Sequence, residues 1–327
     1  MAEVFKGIFM EEIPLKNNPL KALNCFIFSS NGQNLLVDSG FDEETAKKAL
    51  DDIIEKYNLN PQNTRVFLTH HHSDHAGNIP YLEDKGFKII SNVRDMKRIN
   101  EGITQDRPSW LALSSMAKSQ DLEKDVKDVL NNPGFYYRAK KEIHPTIVEI
   151  GDIVEVGDFK FEVVDLQGHT PNQCGLYDRE KKILHAADAI LAKITPNITF
   201  WGFDYGDSLG KYFATLDKIR DMDVDILLSC HRSLIEDKNK RVDELKEHHR
   251  RRLEDIRGIL SDGSYYTPRD VAMRMKWDIS SKTWEDFPSS QKWFAVGEAH
   301  AHLEHLRALE ELEFKEENNI YYYRKRK

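Results

Sequence analysis

Val66-Phe67-Leu68-Thr69-His70-His71-His72-Ser73-Asp74-His75 is the stretch that decides how this chain folds and what chemistry it can do. Three apolar residues give way to His-x-His-x-Asp-His, which is four potential metal ligands within six positions. The apolar run predicts a buried strand, and the polar cluster predicts a loop at its end, ahead of a helix. A strand end is rigid enough to aim several side chains at one point, and the loop supplies the curvature that a straight strand lacks. His71 and Ser73 are expected to point elsewhere. Imidazoles beside a carboxylate suit zinc, iron or manganese, whereas calcium and magnesium require oxygen shells. With 13 His among 327 residues, four in six positions beside an Asp is poorly explained by chance and reads as a metal site.

The 327 residues suffice for one large domain plus a small one, or two medium ones. Apolar residues at 40% permit a real core, and 31% charged residues with a mean hydropathy of -0.61 describe a soluble protein. No run of about 18 apolar residues occurs, so no membrane span is expected. The opening Met1-Ala2-Glu3-Val4-Phe5-Lys6-Gly7 lacks the pattern of a secretory signal. Three scattered cysteines (Cys25, Cys174 and Cys230) make no disulfide framework and favour a reducing compartment, so a cytoplasmic location is expected. A net charge of -8 argues against a general nucleic-acid binder.

Outward from the motif, Leu23 to Ser29 and Gln33 to Asp38 flank Asn31-Gly32, a two-residue hairpin signal. Glu43 to Tyr57 has helical apolar spacing, with Asp42 expected as its cap. From about Val93 to Lys141 the pattern turns helical: Pro108 can open a helix, and the stretch ends in Phe135-Tyr136-Tyr137. Strands resume at Thr146 and run through Phe159 to Val164, Cys174 to Tyr177 and Ile183 to Ala186. A helix from about Ser208 to Arg220 precedes a last core strand, Asp225 to Ser229. The charged stretch Glu236-Asp237-Lys238-Asn239-Lys240 marks a domain boundary, with domains expected at 1–240 and 241–327. The second holds a basic helix (Val242 to Leu260), a helix after Thr267-Pro268, and one from Gly297 to Leu312. A hairpin turning at Asn318-Asn319 closes it, a winged-helix-like order.

Four more positions lie, like the motif, at the ends of apolar runs. They are Asp38 after Leu35-Leu36-Val37, His169 after Val163-Val164-Asp165-Leu166, Asp188 after Ile183-Leu184-His185, and His231 after Ile226-Leu227-Leu228. Layered α/β folds build sites from successive strand ends on one edge. In order and spacing, Asp38, His70-x-His72-x-Asp74-His75, His169, Asp188 and His231 resemble the five motifs of the metallo-β-lactamase fold superfamily, over roughly residues 5 to 235. That resemblance implies an αββα sandwich with a dinuclear metal site on one edge. It implies that His70, His72 and His169 hold one metal, that Asp74, His75 and His231 hold the other, and that Asp188 bridges them. Asp38 would orient the ligand loop. Thr195-Pro196-Asn197-Ile198 and the C-terminal helices are similar to a lactamase-like subgroup with an appended helical domain, one branch of which includes endoribonucleases. Two departures from the family's usual pattern are Cys230 and Arg232 around His231, and Asn172-Gln173 after Gly168-His169-Thr170-Pro171.

The resemblance implies a hydrolase in which two divalent metals, zinc with iron or manganese as alternatives, activate hydroxide. Asp74 or Asp188 would relay the proton that a leaving group needs. The expected substrate is a small or medium thioester, ester or lactone. A metal-dependent endoribonuclease or phosphodiesterase is the alternative, supported by the basic helix (His248 to Arg252) and the Arg324-Lys325-Arg326-Lys327 tail. Further behind stand a non-catalytic DNA-binding regulator and an iron oxidoreductase. The insert at about 93–141 is long enough to be a functional lid, with Trp110, Met116 and Phe135-Tyr136-Tyr137 as an apolar wall. An interface in a homodimer is an equal reading. Trp201-Gly202-Phe203 is expected to line the pocket, with Tyr205 and Tyr212 as candidate proton donors. His248, His249, His300, His302 and His305 lie in helical patterns, and the i, i+3 pair His302 and His305, which could bind metal in isolation, reads as ordinary helix surface.

Overall fold

The computed structural model describes residues 3–92, 100, 108–126, 132–278 and 283–327. One sheet takes its strands in chain order: β1 (Glu3–Phe5), β2 (Ile8–Pro14), β3 (Ala22–Ser30), β4 (Gln33–Val37), β5 (Thr64–Phe67), β6 (Lys88–Ser91) and β7 (Thr146–Ile147). Pairing is antiparallel through β4 and parallel from β4 to β7. The second sheet joins β8 (Ile153–Val156), β9 (Phe159–Asp165), β10 (Cys174–Asp178), β11 (Ile183–His185) and β12 (Ile226–Leu228), with only β11 and β12 parallel.

Period-two alternation makes each sheet a two-sided wall. On β3, Phe26 and Phe28 face the second sheet, where they pack with Phe159, Phe161, Val163 and Leu176. Leu23, Cys25 and Ile27 face the opposite way, toward Ala46, Leu50 and Ile53 of α1 (Glu44–Lys56) and, past the short α2 (Ser73–Ala76), Ile79 and Leu82 of α3 (Ile79–Asp84). The outer face of the second sheet is covered by Leu209, Tyr212, Leu216 and Ile219 of α6 (Ser208–Asp221). The result is an αββα sandwich. The apolar cluster under α6 continues into α7 (Lys238–Ile259), α8 (Pro268–Arg274), α9 (Ser289–Ala308) and the hairpin β13 (Leu312–Glu317)–β14 (Ile320–Lys325).

Local signals account for most element ends. Asn31 and Gly32 both adopt positive φ (50° and 75°), as a two-residue hairpin turn demands, and Asn318 and Asn319 do the same at the last hairpin. Helix α1 is capped by Glu43, whose carboxylate accepts from the Thr45 and Ala46 amides. The expected cap, Asp42, instead pairs with Lys47 at 2.8 Å. Helix α9 starts at Ser289, eight residues before the expected Gly297, which sits mid-helix. There a Cβ would lie 2.1 Å from Thr199 Oγ1, so a side chain would force Thr199 to turn.

The His302 and His305 pair of α9 is also not on the helix surface. His249, His300 and His302 are fully buried, and His305 pairs with Asp207 at 2.8 Å. Helix α9 packs against α6, α7 and the hairpin at once, so its polar residues find partners inside. Of the insert, α4 (Pro108–Ser119) and α5 (Pro133–Tyr136) are described, while the side chain of Trp110 and much of 93–107 and 127–131 lie outside the described residues. Ala117, Leu122 and Val126 join the C-terminal cluster, and Gln120 Nε2 meets His300 Nδ1 at 3.0 Å. Among the described residues no helix is long and apolar enough to cross a membrane.

Candidate metal centre

Strands β4, β5, β9, β11 and β12 all end at one edge of the sandwich, and each is followed within a few residues by one of the sequence-predicted groups. The turns that follow are sharp. Asp38, Ala187 and Arg232 adopt φ of 61°, 47° and 68°, and Gly168, just before His169, adopts 130°. Left-handed backbone is costly for Ala and Arg, and such geometry concentrates where a fold must aim side chains. Gly168 is also required by space, because a Cβ there would lie 2.6 Å from the Tyr212 Cα on α6.

Seven side chains converge. His72 Nδ1 lies 3.2 Å from His70 Nε2 and 3.1 Å from His169 Nε2. Asp188 Oδ2 lies 3.4 Å from His231 Nε2, 3.5 Å from His75 Nε2 and 3.8 Å from His169 Nε2. Asp74 Oδ2 is 3.5 Å from His231 Nε2. His70, His72 and His169 form one compact group and Asp74, His75 and His231 another; Asp188 lies within reach of both. Asp74 is the most exposed of the site carboxylates and Asp38 the most enclosed.

The outer nitrogen of each of four imidazoles is tied to the protein. His169 Nδ1 donates to the Asn197 carbonyl (2.9 Å), His231 Nδ1 to the Ala22 carbonyl (2.9 Å) and His75 Nδ1 to Asp38 Oδ2 (2.7 Å). The Thr69 hydroxyl donates to Asp38 at 2.9 Å, so its oxygen is left to accept from His70 Nδ1 at 3.0 Å. Each bond selects the tautomer whose Nε2 lone pair faces inward. Asp38 also accepts from the Thr69 amide at 2.9 Å, so one buried carboxylate orients two of the imidazoles.

These residues fit a pair of cations. His75 Nε2, His231 Nε2 and Asp188 Oδ1 are buried without a hydrogen-bond partner, a costly arrangement unless something positive sits among them. A tetrahedral zinc with nitrogen at about 2.0–2.1 Å sets its ligand atoms roughly 3.3 Å apart, close to the spacings of the first histidine group. The carboxylates make the pocket attractive to positive charge, whether a proton or a metal. Burial works to lower His75, but Asp38 and Asp188 hold it well above the usual imidazole range. Burial likewise opposes the charge on His231, and Asp188 holds that imidazole up. Burial would raise Asp188, yet His231 and His75 keep it well below the carboxylate range. His70, crowded by burial and by the His75 and His72 imidazoles, is pushed down and stays neutral, as a ligand must be.

Other sequence candidates are placed as follows. Trp201 lies beside the site, its ring 5.2 Å from that of His71 and its Nε1 donating to the His169 carbonyl at 3.1 Å. Phe203 instead packs against Phe200, Phe314 and Tyr321. Tyr212 is fully buried with its hydroxyl donating to the Ala189 carbonyl, so it is a packing residue. Arg232 donates to the Pro19 carbonyl, and Cys230 is buried behind Asp38. Sequence reasoning missed Asn24, whose side chain donates to the Ser229 and Arg232 carbonyls and so pins the His231 loop. A buried polar residue within an apolar strand was its only signal.

Comparison with known proteins gives a consistent picture. The family described as the Metallo-beta-lactamase superfamily matches residues 20–231. A solved structure, that of a metallo-beta-lactamase family protein from Thermus thermophilus, superposes with a TM-score of 0.81 at 24% identity, covering 99% of this chain and 100% of that one. The probable metallo-hydrolase YqjP of Bacillus subtilis is 22% identical over 94% of this chain and 95% of its own length. The acyl-coenzyme A thioesterase MBLAC2 of Gallus gallus is 21% identical over 51% of this chain and 57% of its own. The chain spans 66% of the length of an uncharacterized Aquifex aeolicus relative and about half that of the thioesterases.

Proposed function

The chain belongs to the metallo-beta-lactamase superfamily, and from that premise we propose that it is a metal-dependent hydrolase of small organic substrates, with acyl thioesters as the substrate class. The observation that carries the reading is the pair of buried imidazole nitrogens without a hydrogen bond, His75 Nε2 and His231 Nε2, that converge on Asp188 Oδ2 at 3.5 and 3.4 Å. His70, His72 and His169 would hold one divalent metal, Asp74, His75 and His231 a second, and Asp188 would bridge them. Zinc suits this donor set best. When bound, the pair supplies Lewis acidity that polarises a carbonyl and makes water a competent nucleophile near neutral pH.

The chain's own groups do the rest. Asp38, through Thr69 and His75, fixes two imidazole orientations before any ligand arrives. His231 and His75 hold Asp188 well below the carboxylate range, so at neutral pH it presents acceptor oxygens to the centre. Asp74, the site carboxylate nearest solvent, is the group best placed to pass a proton toward a leaving group. A thiolate needs that help least, which is one reason to favour thioesters. The other is the likeness to the thioesterases over about half of this chain. Trp201 beside His71 offers an apolar wall for an acyl chain.

The basic helix lends little to a phosphodiester substrate. His249 is buried, Arg252 pairs internally with Glu298 at 3.2 Å, and Arg324 and Arg326 of the tail pair with Glu313 and Glu310. The test is metal content per chain together with turnover on short- and medium-chain acyl thioesters, compared with single-stranded RNA. His72→Ala and Asp188→Ala should abolish hydrolysis with the fold retained by circular dichroism. Full turnover in either variant, or RNA cleavage without thioester cleavage, overturns the proposal.

A further inference from the structure

One charged cluster stands apart from the centre yet touches it through a single relay. Glu298 on α9 is buried, with 7% of its surface exposed, and its carboxylate faces Arg252 (3.2 Å) and His248 (3.8 Å) on α7. Burial would raise it, but Arg252 and then the His248 contact hold it down at about 2, so it is ionised wherever the protein is folded. Its second oxygen accepts from Asn197 Nδ2 at 3.1 Å, and the same amide donates to the Phe294 carbonyl at 3.3 Å. The backbone carbonyl of Asn197 is the acceptor for His169 Nδ1.

The segment from 197 to 201 is therefore held from both sides. On the α9 side, Glu298 grips the Asn197 side chain and the Gly297 carbonyl accepts from the Phe200 amide at 3.1 Å. The missing side chain of Gly297 lets Thr199 approach the helix closely. On the sandwich side the segment touches His169 twice, through the Asn197 carbonyl and through Trp201 Nε1 on the His169 carbonyl. Of the inward-facing imidazoles, His169 is the one whose orienting acceptor hangs from α9. The acceptors for His70, His75 and His231 come from Thr69, Asp38 and Ala22, within or beside the first sheet.

We propose that Glu298 is a positioning residue for His169, acting through Asn197, so that helix α9 sets the affinity of one of the two metal positions and not the other. This rests on the metal reading of the centre given above. Losing Glu298 leaves the Asn197 side chain only its longer bond to the Phe294 carbonyl, loosens the carbonyl that selects the His169 tautomer, and weakens the position built from His70, His72 and His169. The position built from Asp74, His75 and His231 keeps its own supports.

The experiment uses the full chain and cobalt(II) alone, titrated by its d–d absorbance, with zinc affinity read by competition against a chelating dye. Glu298→Ala strands the Arg252 charge, so Asn197→Ala, which deletes the same hydrogen bond without exposing a charge, is measured beside it; circular dichroism reports folding. Loss of an outer-shell partner typically costs about 10–100-fold in metal affinity. Both variants should lose that much at one cobalt position, with a changed spectrum there, and stay within about twofold at the other. Unchanged constants at both positions, or equal weakening of both, overturn the inference while leaving the metal reading intact. A wild-type chain that binds no cobalt sinks the metal reading itself, and this inference with it.

Discussion

Removal of the Asp38 carboxylate is the sharpest stability test of the centre, because the cost can be worked out atom by atom. Asp38 is fully buried and accepts from the Thr69 amide, the Thr69 hydroxyl and His75 Nδ1. Asp38→Ala leaves three buried donors without an acceptor, at about 1–3 kcal/mol for each group that cannot turn elsewhere. Placing Ala at a φ of 61° adds about 1–2 kcal/mol that Asp and Asn largely avoid. Allowing the hydroxyl to find another partner, the sum is about 3–8 kcal/mol. For 327 residues, at roughly 2.1 cal/mol/K of unfolding entropy each, that is a fall in Tm of roughly 4–12 °C. Asp38→Asn keeps the backbone preference and one acceptor and should cost about 1–3 kcal/mol. Its amide would meet the His75 N–H, forcing the other tautomer and aiming a proton at the centre, so zinc affinity should drop about 10–100-fold. Calorimetry and zinc competition on both variants decide the matter. An Ala variant within about 2 °C of wild type, or an Asn variant with unaltered zinc affinity, would refute the reasoning.

Two further outcomes follow from packing and burial. Gly168→Ala should cost at least about 2–3 kcal/mol in urea unfolding, since its Cβ would lie 2.6 Å from the Tyr212 Cα at a φ of 130°; a neutral change would mean that α6 does not press on the His169 loop. His300 is pushed down to about 3 by burial and then by Arg307. Because its folded value lies below the unfolded one, its stabilisation is full above pH 6.5 and drains away as pH falls toward 3. The loss by pH 4 is about 3 kcal/mol at most. The urea midpoint should fall over that window and the slope should flatten in His300→Gln; an unchanged slope would count against neutral burial of this imidazole.

The sequence alone was enough for most of what depends on neighbours in the chain, helix ends such as the cap of α1 and the start of α9 excepted. Alternating or continuous apolar runs specify strands through side-chain period, and Asn31-Gly32 specifies a hairpin because few other pairs tolerate positive φ twice. Each site residue was visible because it directly follows such a run, and a run's end is a local event. Family membership was legible for the same reason, as an ordered series of strand ends. What the tertiary structure decided is everything set by distance through space. Which ring nitrogen faces inward follows from acceptors as remote as Ala22 for His231 and Asn197 for His169. His302 and His305 were misjudged as surface because burial on α9 depends on several elements packing around it at once, and a single helix's pattern cannot show that. Glu298 carries no local mark at all. Its role exists only because Gly297 lets α9 approach the 197–201 segment, a contact spanning about a hundred residues of chain that folding alone brings together.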